Sequence, residues 1–153
     1  MIKYYEILGQ LADQLTSSPA LSGAFASSPF IQIGEDGINP VGEKDVAYIV
    51  LQPSMQGADY GFESGNFAIT FELDFGLVCD SVTTSGHVKT FGAIERIDDI
   101  AEVLISEVKS CFDTAIISKC DYAVDATSFY PLAMGGMTIQ LSFLGSVNQE
   151  IGL

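Results

Sequence analysis

Few residues of this chain could carry out catalysis. His87 is the only histidine, so a Ser-His-Asp triad would have to use it, yet no Gly-x-Ser-x-Gly motif accompanies it. Cys79, Cys111 and Cys120 are an odd number of cysteines without a Cys-x-x-Cys pair, which favours reduced thiols over a zinc site or a disulfide framework. No glycine-rich stretch ends in Gly-Lys-Ser or Gly-Lys-Thr, the pattern of a phosphate-binding loop. We therefore expect no enzyme, no metal and no cofactor.

Two carboxylates are better candidates for a functional site. Glu72 and Asp74 lie two residues apart in a segment of alternating polarity, so in a strand they share one face about 7 Å apart. Such a pair could transfer protons, bind a cation such as Ca²⁺, or form the polar side of a solvent-facing strand. Glu35 and Asp36 beside Gly37 lack the further ligands of a calcium loop, so they predict a turn.

The charge of the chain excludes several classes of partner. The 153 residues include 20 Asp and Glu against 6 Lys and Arg, a formal net charge of −14. Tight binding to nucleic acid or to an anionic membrane needs clustered basic residues, which this chain lacks. No apolar run approaches the roughly 20 residues of a membrane helix. The acid excess could keep an apolar protein soluble, or it could make one face acidic in order to repel DNA or attract cations.

Periodicity predicts the elements that must position these residues. Apolar residues at helical spacing predict helices over 2–15 and 94–112, and residues 19–29 and 81–89 predict connecting loops. Strands are predicted over 30–33, 47–52, 67–79, 116–129 and 137–143, with a turn at Gly135 and Gly136 before the last of them. The element order is α-β-β-β-α-β-β.

The third strand has the clearest pattern. Apolar and polar residues alternate with a period of two from Phe67 to Cys79, so one face of a sheet is apolar and must be covered. The two amphipathic helices can cover it. We therefore predict a single domain over residues 1–153 of the α+β class: a two-layer sandwich of a five-stranded, mostly antiparallel sheet packed by two helices.

A long loop over residues 52–66 precedes the third strand. It carries two aromatic residues flanked by carboxylates: Asp59, Tyr60, Phe62 and Glu63. Long loops in compact domains are often functional, and aromatic residues on them need a surface to pack against. The aromatic rings either fold back onto their own domain or dock onto a neighbouring subunit.

The layout resembles the tail terminator (tail completion) proteins of lambda-like long-tailed bacteriophages and prophages. The similarity lies in the helix over 2–15, the three strands with a long loop before the third, and the polar connection followed by the helix over 94–112. The closing pair of strands, with Phe129-Tyr130-Pro131-Leu132 before Met137, completes it.

The resemblance implies a structural role without catalysis. Such proteins form a ring, typically a hexamer, on the last ring of the tail-tube protein, where they end tube growth and join the head-tail connector protein. DNA passes through the ring without specific binding, and Glu72 and Asp74 are candidates for an acidic lumen. The implied location is the virion tail, and the host cytoplasm during assembly, with no membrane. The alternative is a small cytosolic module that binds a cation or a peptide, the latter along an exposed third strand.

Overall fold

A computed structural model describes residues 3–34, 47–61 and 65–144. Within them the chain forms three helices and seven strands: α1 (Tyr4–Thr16), α2 (Pro19–Phe25), β1 (Phe30–Ile33), β2 (Tyr48–Asp59), β3 (Phe67–Val78), β4 (Val82–Ser85), β5 (Val88–Phe91), α3 (Ala93–Cys111), β6 (Ala115–Phe129) and β7 (Leu132–Phe143). The predicted α+β class is confirmed. The predicted turn at Glu35, Asp36 and Gly37 lies outside the described residues.

The described strands form one five-stranded sheet and one hairpin. The sheet has the order β1-β2-β3-β7-β6, in which β1 pairs parallel to β2 and every other pair is antiparallel. The predicted third strand is β3, and it pairs with β2 on one side and β7 on the other. The expectation of an exposed edge along this strand is therefore wrong, because both of its edges are used.

The alternation in β3 divides the sheet into two faces. The odd-numbered side chains from Phe67 to Leu77 are at most 4 % exposed and belong to the main core. Residues from α1, α2 and α3 complete that core, so the described helices pack on this side of the sheet. We call the opposite side, with Glu72 and Asp74 at its centre, the outer face. A second, smaller cluster of buried apolar residues lies on the outer face. It is built around Tyr48, Val50 and Leu132, and all of its members are strand residues.

The predicted loop over 19–29 is partly wrong, because it contains the helix α2. The Ser18 hydroxyl accepts a hydrogen bond from the Leu21 amide (3.1 Å), and Pro19 occupies the first turn, so the local sequence caps the helix. Ser18 also donates to Glu107 of α3 (2.8 Å). At the other end, Arg96 of α3 donates to the carbonyl oxygen of Phe25 (3.2 Å). This short helix is therefore held at both ends by α3.

Two other segments that were predicted to be loops contain strands. β2 continues to Asp59, with a change of register between Pro53 and Ala58, so most of the loop over 52–66 is an extension of the strand. Residues 81–89 contain β4 and the start of β5, which form a hairpin whose turn includes Gly86 with φ of 61°. Only glycine adopts that backbone conformation at little cost, so Gly86 suits the turn.

Gly135 and Gly136 lie inside β7, so the turn predicted there is wrong. A Cβ atom at Gly135 would lie 2.5 Å from the Phe75 ring and 2.8 Å from Ile97 of α3. A Cβ atom at Gly136 would lie 2.8 Å from the carboxylate of Asp74 on the other side of the sheet. The pair is glycine because neighbouring side chains approach the strand closely on both faces.

Replacing Gly135 by alanine tests this packing. We expect Gly135→Ala to lower the free energy of unfolding by about 1–3 kcal/mol, because Phe75 or Ile97 must move to make room. The matched control is Gly9→Ala in α1, where a Cβ atom meets nothing within 4 Å. That control should stabilise the protein by roughly 0.5–1 kcal/mol, the gain of alanine over glycine in a helix. Urea unfolding measures both, and equal stabilities for the two variants would contradict the packing.

Candidate functional site: an acidic sheet face and an open sheet edge

The centre of the outer face is acidic. The register places Glu72 of β3 opposite Thr138 of β7, and Thr138 opposite Asp121 of β6, so the carboxylates of β3 and β6 lie on the same side of the sheet. Asp74 lies opposite Gly136 in the next row on the same side of the sheet. Together these residues line a shallow groove of about 300 Å³. The predicted grouping of Glu72 and Asp74 on one face is present in the structure, and Asp121 is an addition to it.

An amide holds the two central carboxylates. The side-chain nitrogen of Gln52 on β2 donates to Glu72 (3.1 Å) and also lies 3.4 Å from Asp74. Gln52 reaches both because β2 pairs with β3 and places Gln52 directly opposite Glu72. A neutral donor orients these groups without cancelling their charge, so this part of the face remains a concentration of negative charge.

A basic residue borders the groove at β6. Lys119 pairs with Asp121 at 3.6 Å, and both side chains are more than 60 % exposed. An exposed ion pair of this kind contributes little to stability, roughly 0.2–1 kcal/mol at most. Its effect on the face is to reduce the charge at the border next to β6.

The described residues show no metal-binding arrangement. No group of three or more His, Cys, Asp or Glu residues in the described part of the chain is placed to hold a metal ion. Glu72 and Asp74 are instead hydrogen-bonded by Gln52. What the arrangement can do is repel anions that approach the outer face.

The residues predicted at a subunit interface are only partly described. Tyr60 is half-buried against its own domain, with its ring centroid 5.0 Å from that of Phe67. Asp59 is exposed and accepts a hydrogen bond from the Gly61 amide (3.0 Å). Phe62 and Glu63 lie outside the described residues. The position of Tyr60 favours the interpretation in which this segment folds back onto its own core.

Sequence reasoning missed the edge of the sheet formed by β6. Most β6 side chains are exposed on both faces, including Tyr122 (42 %), Val124 (37 %) and Phe129 (46 %). The hydroxyl of Tyr122 donates to Asp98 of α3 (2.7 Å), and burial with this contact raises the pKa of Tyr122 above its usual value. Alternation at Tyr122 and Val124 suggested a strand but could not show that it lies at an edge.

The hairpin β4–β5 is a second exposed feature. All eight of its strand residues are exposed, and His87 is exposed in its turn. The Gly92 amide donates to the Ser81 carbonyl (2.9 Å) and closes the base of the hairpin. An edge-to-face contact of Phe91 with Tyr130 joins the hairpin to the body. An isolated two-stranded hairpin is only marginally stable, so contact with the body supports this one.

No protein-family model matches this chain, and no curated protein matches it significantly. Among the helices of the described residues, none combines the length and apolarity needed to cross a membrane.

The reactivity of the half-buried Cys111 thiol can be measured to test whether this cysteine is activated. Burial, with the nearby charges of Glu107 and Asp13, raises the pKa of Cys111 to about 11. The thiolate is the reactive form, so at pH 8 we expect Cys111 to react with iodoacetamide about 100-fold more slowly than a free thiol of ordinary pKa. The rate should rise about tenfold for each pH unit up to pH 10.

Peptide mapping by mass spectrometry separates Cys111 from Cys79 and Cys120, and labelling in urea is the control for accessible thiol. A fast, pH-independent reaction at Cys111 in the folded protein would instead indicate an activated thiol.

Proposed function

We propose that this chain is a structural subunit of a phage or prophage tail. It forms a ring, hexameric in the family that it resembles, which ends growth of the tail tube and joins the tail to the head connector. The observation that carries the proposal is the outer face, because it combines central carboxylates with the absence of any described helix over it. The protein acts in the virion tail, after assembly in the host cytoplasm.

The outer face suits a surface along which DNA slides. Phosphate groups are attracted by clustered Lys and Arg and repelled by carboxylates. Glu72 and Asp74 lie together at the centre of the face, and the Lys119–Asp121 pair lies at its border. Repulsion between such groups acts over about 8 Å at physiological salt, enough to keep a nearby duplex from adhering. In the proposed ring this face lines the central hole.

A ring also needs two different surfaces on each subunit, because each copy contacts one neighbour on either side. The exposed hairpin β4–β5 supports this part of the proposal. Val82, Val88 and Phe91 are each more than 40 % exposed, and the groove between the hairpin and the start of α3 is about 540 Å³. We propose the hairpin as one of the contact surfaces.

The open edge of β6 favours one alternative. A peptide could add to it as a further strand, with main-chain hydrogen bonds supplying affinity. The sequence predicted peptide binding along the third strand as the alternative function; in the structure the strand that could bind a peptide is β6. The cytosolic module would work as a monomer, whereas the tail subunit must assemble.

Assembly is the direct test of the proposed function. Negative-stain microscopy and mass photometry should show rings with a central hole, formed at high concentration or on purified tail tubes of a long-tailed phage. A chain that stays monomeric or dimeric under both conditions would overturn the proposal.

Charge reversal tests the role assigned to the outer face. Glu72→Lys with Asp121→Lys reverses charge there and spares Asp74, which is packed over Gly136. Rings of this variant should bind duplex DNA about tenfold or more tighter than wild-type rings, with a steep dependence on salt.

The matched control is Glu102→Lys with Asp113→Lys, at exposed positions on and just after α3, which makes the same change in net charge. Fluorescence anisotropy with labelled duplex measures binding. Equal affinities for the two double variants would argue against the outer face as the lumen.

A further inference from the structure

The edge of the sheet at β6 is long and open. β6 spans 15 residues, and among the described residues it pairs with β7 on one side and with no strand on the other. Such an edge presents backbone N–H and C=O groups that can pair with another chain. Natural proteins usually shorten or cover an edge of this length.

Apolar side chains lie along the same edge. Tyr122, Val124 and Phe129 are exposed, and Phe129 precedes Tyr130, whose ring packs against Phe91 of the hairpin. Backbone pairing would therefore bring apolar surface together as well as main-chain groups. An exposed edge with this composition is expected to associate.

We propose that the free chain pairs with a second copy of itself through β6. The two β6 strands run antiparallel about a two-fold axis at Tyr122, and the two five-stranded sheets join into one. The inference goes beyond the proposed function, since it concerns the chain before it enters a ring.

The register follows from two irregularities in β6. The pairing with β7 shifts between Ile117 and Lys119 and again between Asp125 and Phe129, which leaves 119–125 as the regular stretch. Side chains of paired antiparallel residues point to the same face, so only registers centred on a residue are allowed. The register centred on Tyr122 is the one that overlaps the whole regular stretch of both copies.

The charges of this stretch favour the same register. Centring on Tyr122 places Lys119 opposite Asp125 of the second copy, twice over by symmetry. A register centred on Asp121 opposes that carboxylate to its own copy, and one centred on Ala123 opposes Asp121 to Asp125. Opposite charges across a strand pair stabilise it and like charges destabilise it. Two antiparallel copies of β6 in this register therefore place opposite charges across from each other.

Hydrogen bonds fix the carboxylate of Asp125, which pairs with Lys119 of the second copy in the proposed dimer. Its carboxylate accepts hydrogen bonds from the backbone amides of Thr127 (3.1 Å) and Ser128 (3.0 Å). These bonds keep the pKa of Asp125 below its usual value, so the group is charged at neutral pH. Lys119 pairs with Asp121 of the same chain at 3.6 Å, and in the proposed register it also lies opposite Asp125 of the second copy.

This pair is different from a contact within the ring. An isologous contact closes at two copies, whereas a ring with different partners on its two faces has no two-fold axis in its plane. The dimer is therefore a state of the free protein. If β6 makes other contacts in the ring, the two β6 strands of the dimer must separate before the ring forms.

Disulfide trapping in the full-length chain tests the pair and its register. Opposite Cys120, the proposed register places Val124 of the second copy, at a spacing that a disulfide can bridge. Val124→Cys should give a covalent dimer under mild oxidation with copper phenanthroline. Wild type should give none, and Ala123→Cys, whose side chain points to the other face, should give at least tenfold less.

Each contrary result has a definite meaning. Crosslinking of wild type through Cys120 itself, or equal yields from Val124→Cys and Ala123→Cys, would overturn the register. A monomer by light scattering at all concentrations, with no crosslink in any variant, would overturn the pair.

Charge substitution tests the same pair without a disulfide. Lys119→Glu should raise the dissociation constant of the dimer about tenfold at low salt, because two attractive cross-strand pairs become repulsive. Lys109→Glu on α3 makes the same change in net charge away from β6 and should leave the constant unchanged. The difference should shrink at high salt, and equal constants for the two variants would contradict the pairing. Dimers without rings on tail tubes would refute the proposed function alone, and rings without dimers would refute this inference alone.

Discussion

The structure depends on the strict alternation of side chains in β3, the central strand of the sheet. Its odd-numbered side chains are buried beneath the helices, and Glu72 and Asp74 belong to the other face. A slip of one residue would move the apolar series to the opposite face, so the alternation sets the register of β2 and β7 on either side. The same alternation explains the glycines at positions 135 and 136 of β7. Gly135 leaves space for the side chain of Phe75 on the core side, and Gly136 leaves space for that of Asp74 on the outer side.

The fold is therefore one-sided. All described helices contribute to the core on one face, and the other face keeps a central group of carboxylates ordered by Gln52. A soluble monomer can expose one face of an antiparallel sheet to water. Within the described residues, the acidic face carries no helix, β6 forms an edge of the sheet and the hairpin is exposed. Each of these features leaves a surface available to other copies, and this combination is the physical basis on which we propose assembly.

Much of this arrangement could be predicted from the sequence, for reasons visible in particular elements. β3, α1 and α3 are long enough for periodicity to identify them, and the alternation placed Glu72 and Asp74 on one face. The helix α2 was missed because seven residues are too short for a periodic signal, although Ser18 and Pro19 carry the signature of a helix start. Gly135 and Gly136 predicted a turn because glycine is common in turns, whereas here it allows close packing within a strand. The edge position of β6 is a property of the sheet order, which no local pattern encodes.

We propose that the outer face borders the passage through an assembled ring. Electron cryomicroscopy of the protein assembled on tail tubes, at a resolution that traces the sheet, measures this directly. We predict a ring in which Glu72 and Asp74 point into the central hole and α1 and α3 lie on the outside. A ring whose hole is lined by the helices, with the outer face buried between subunits, would contradict it.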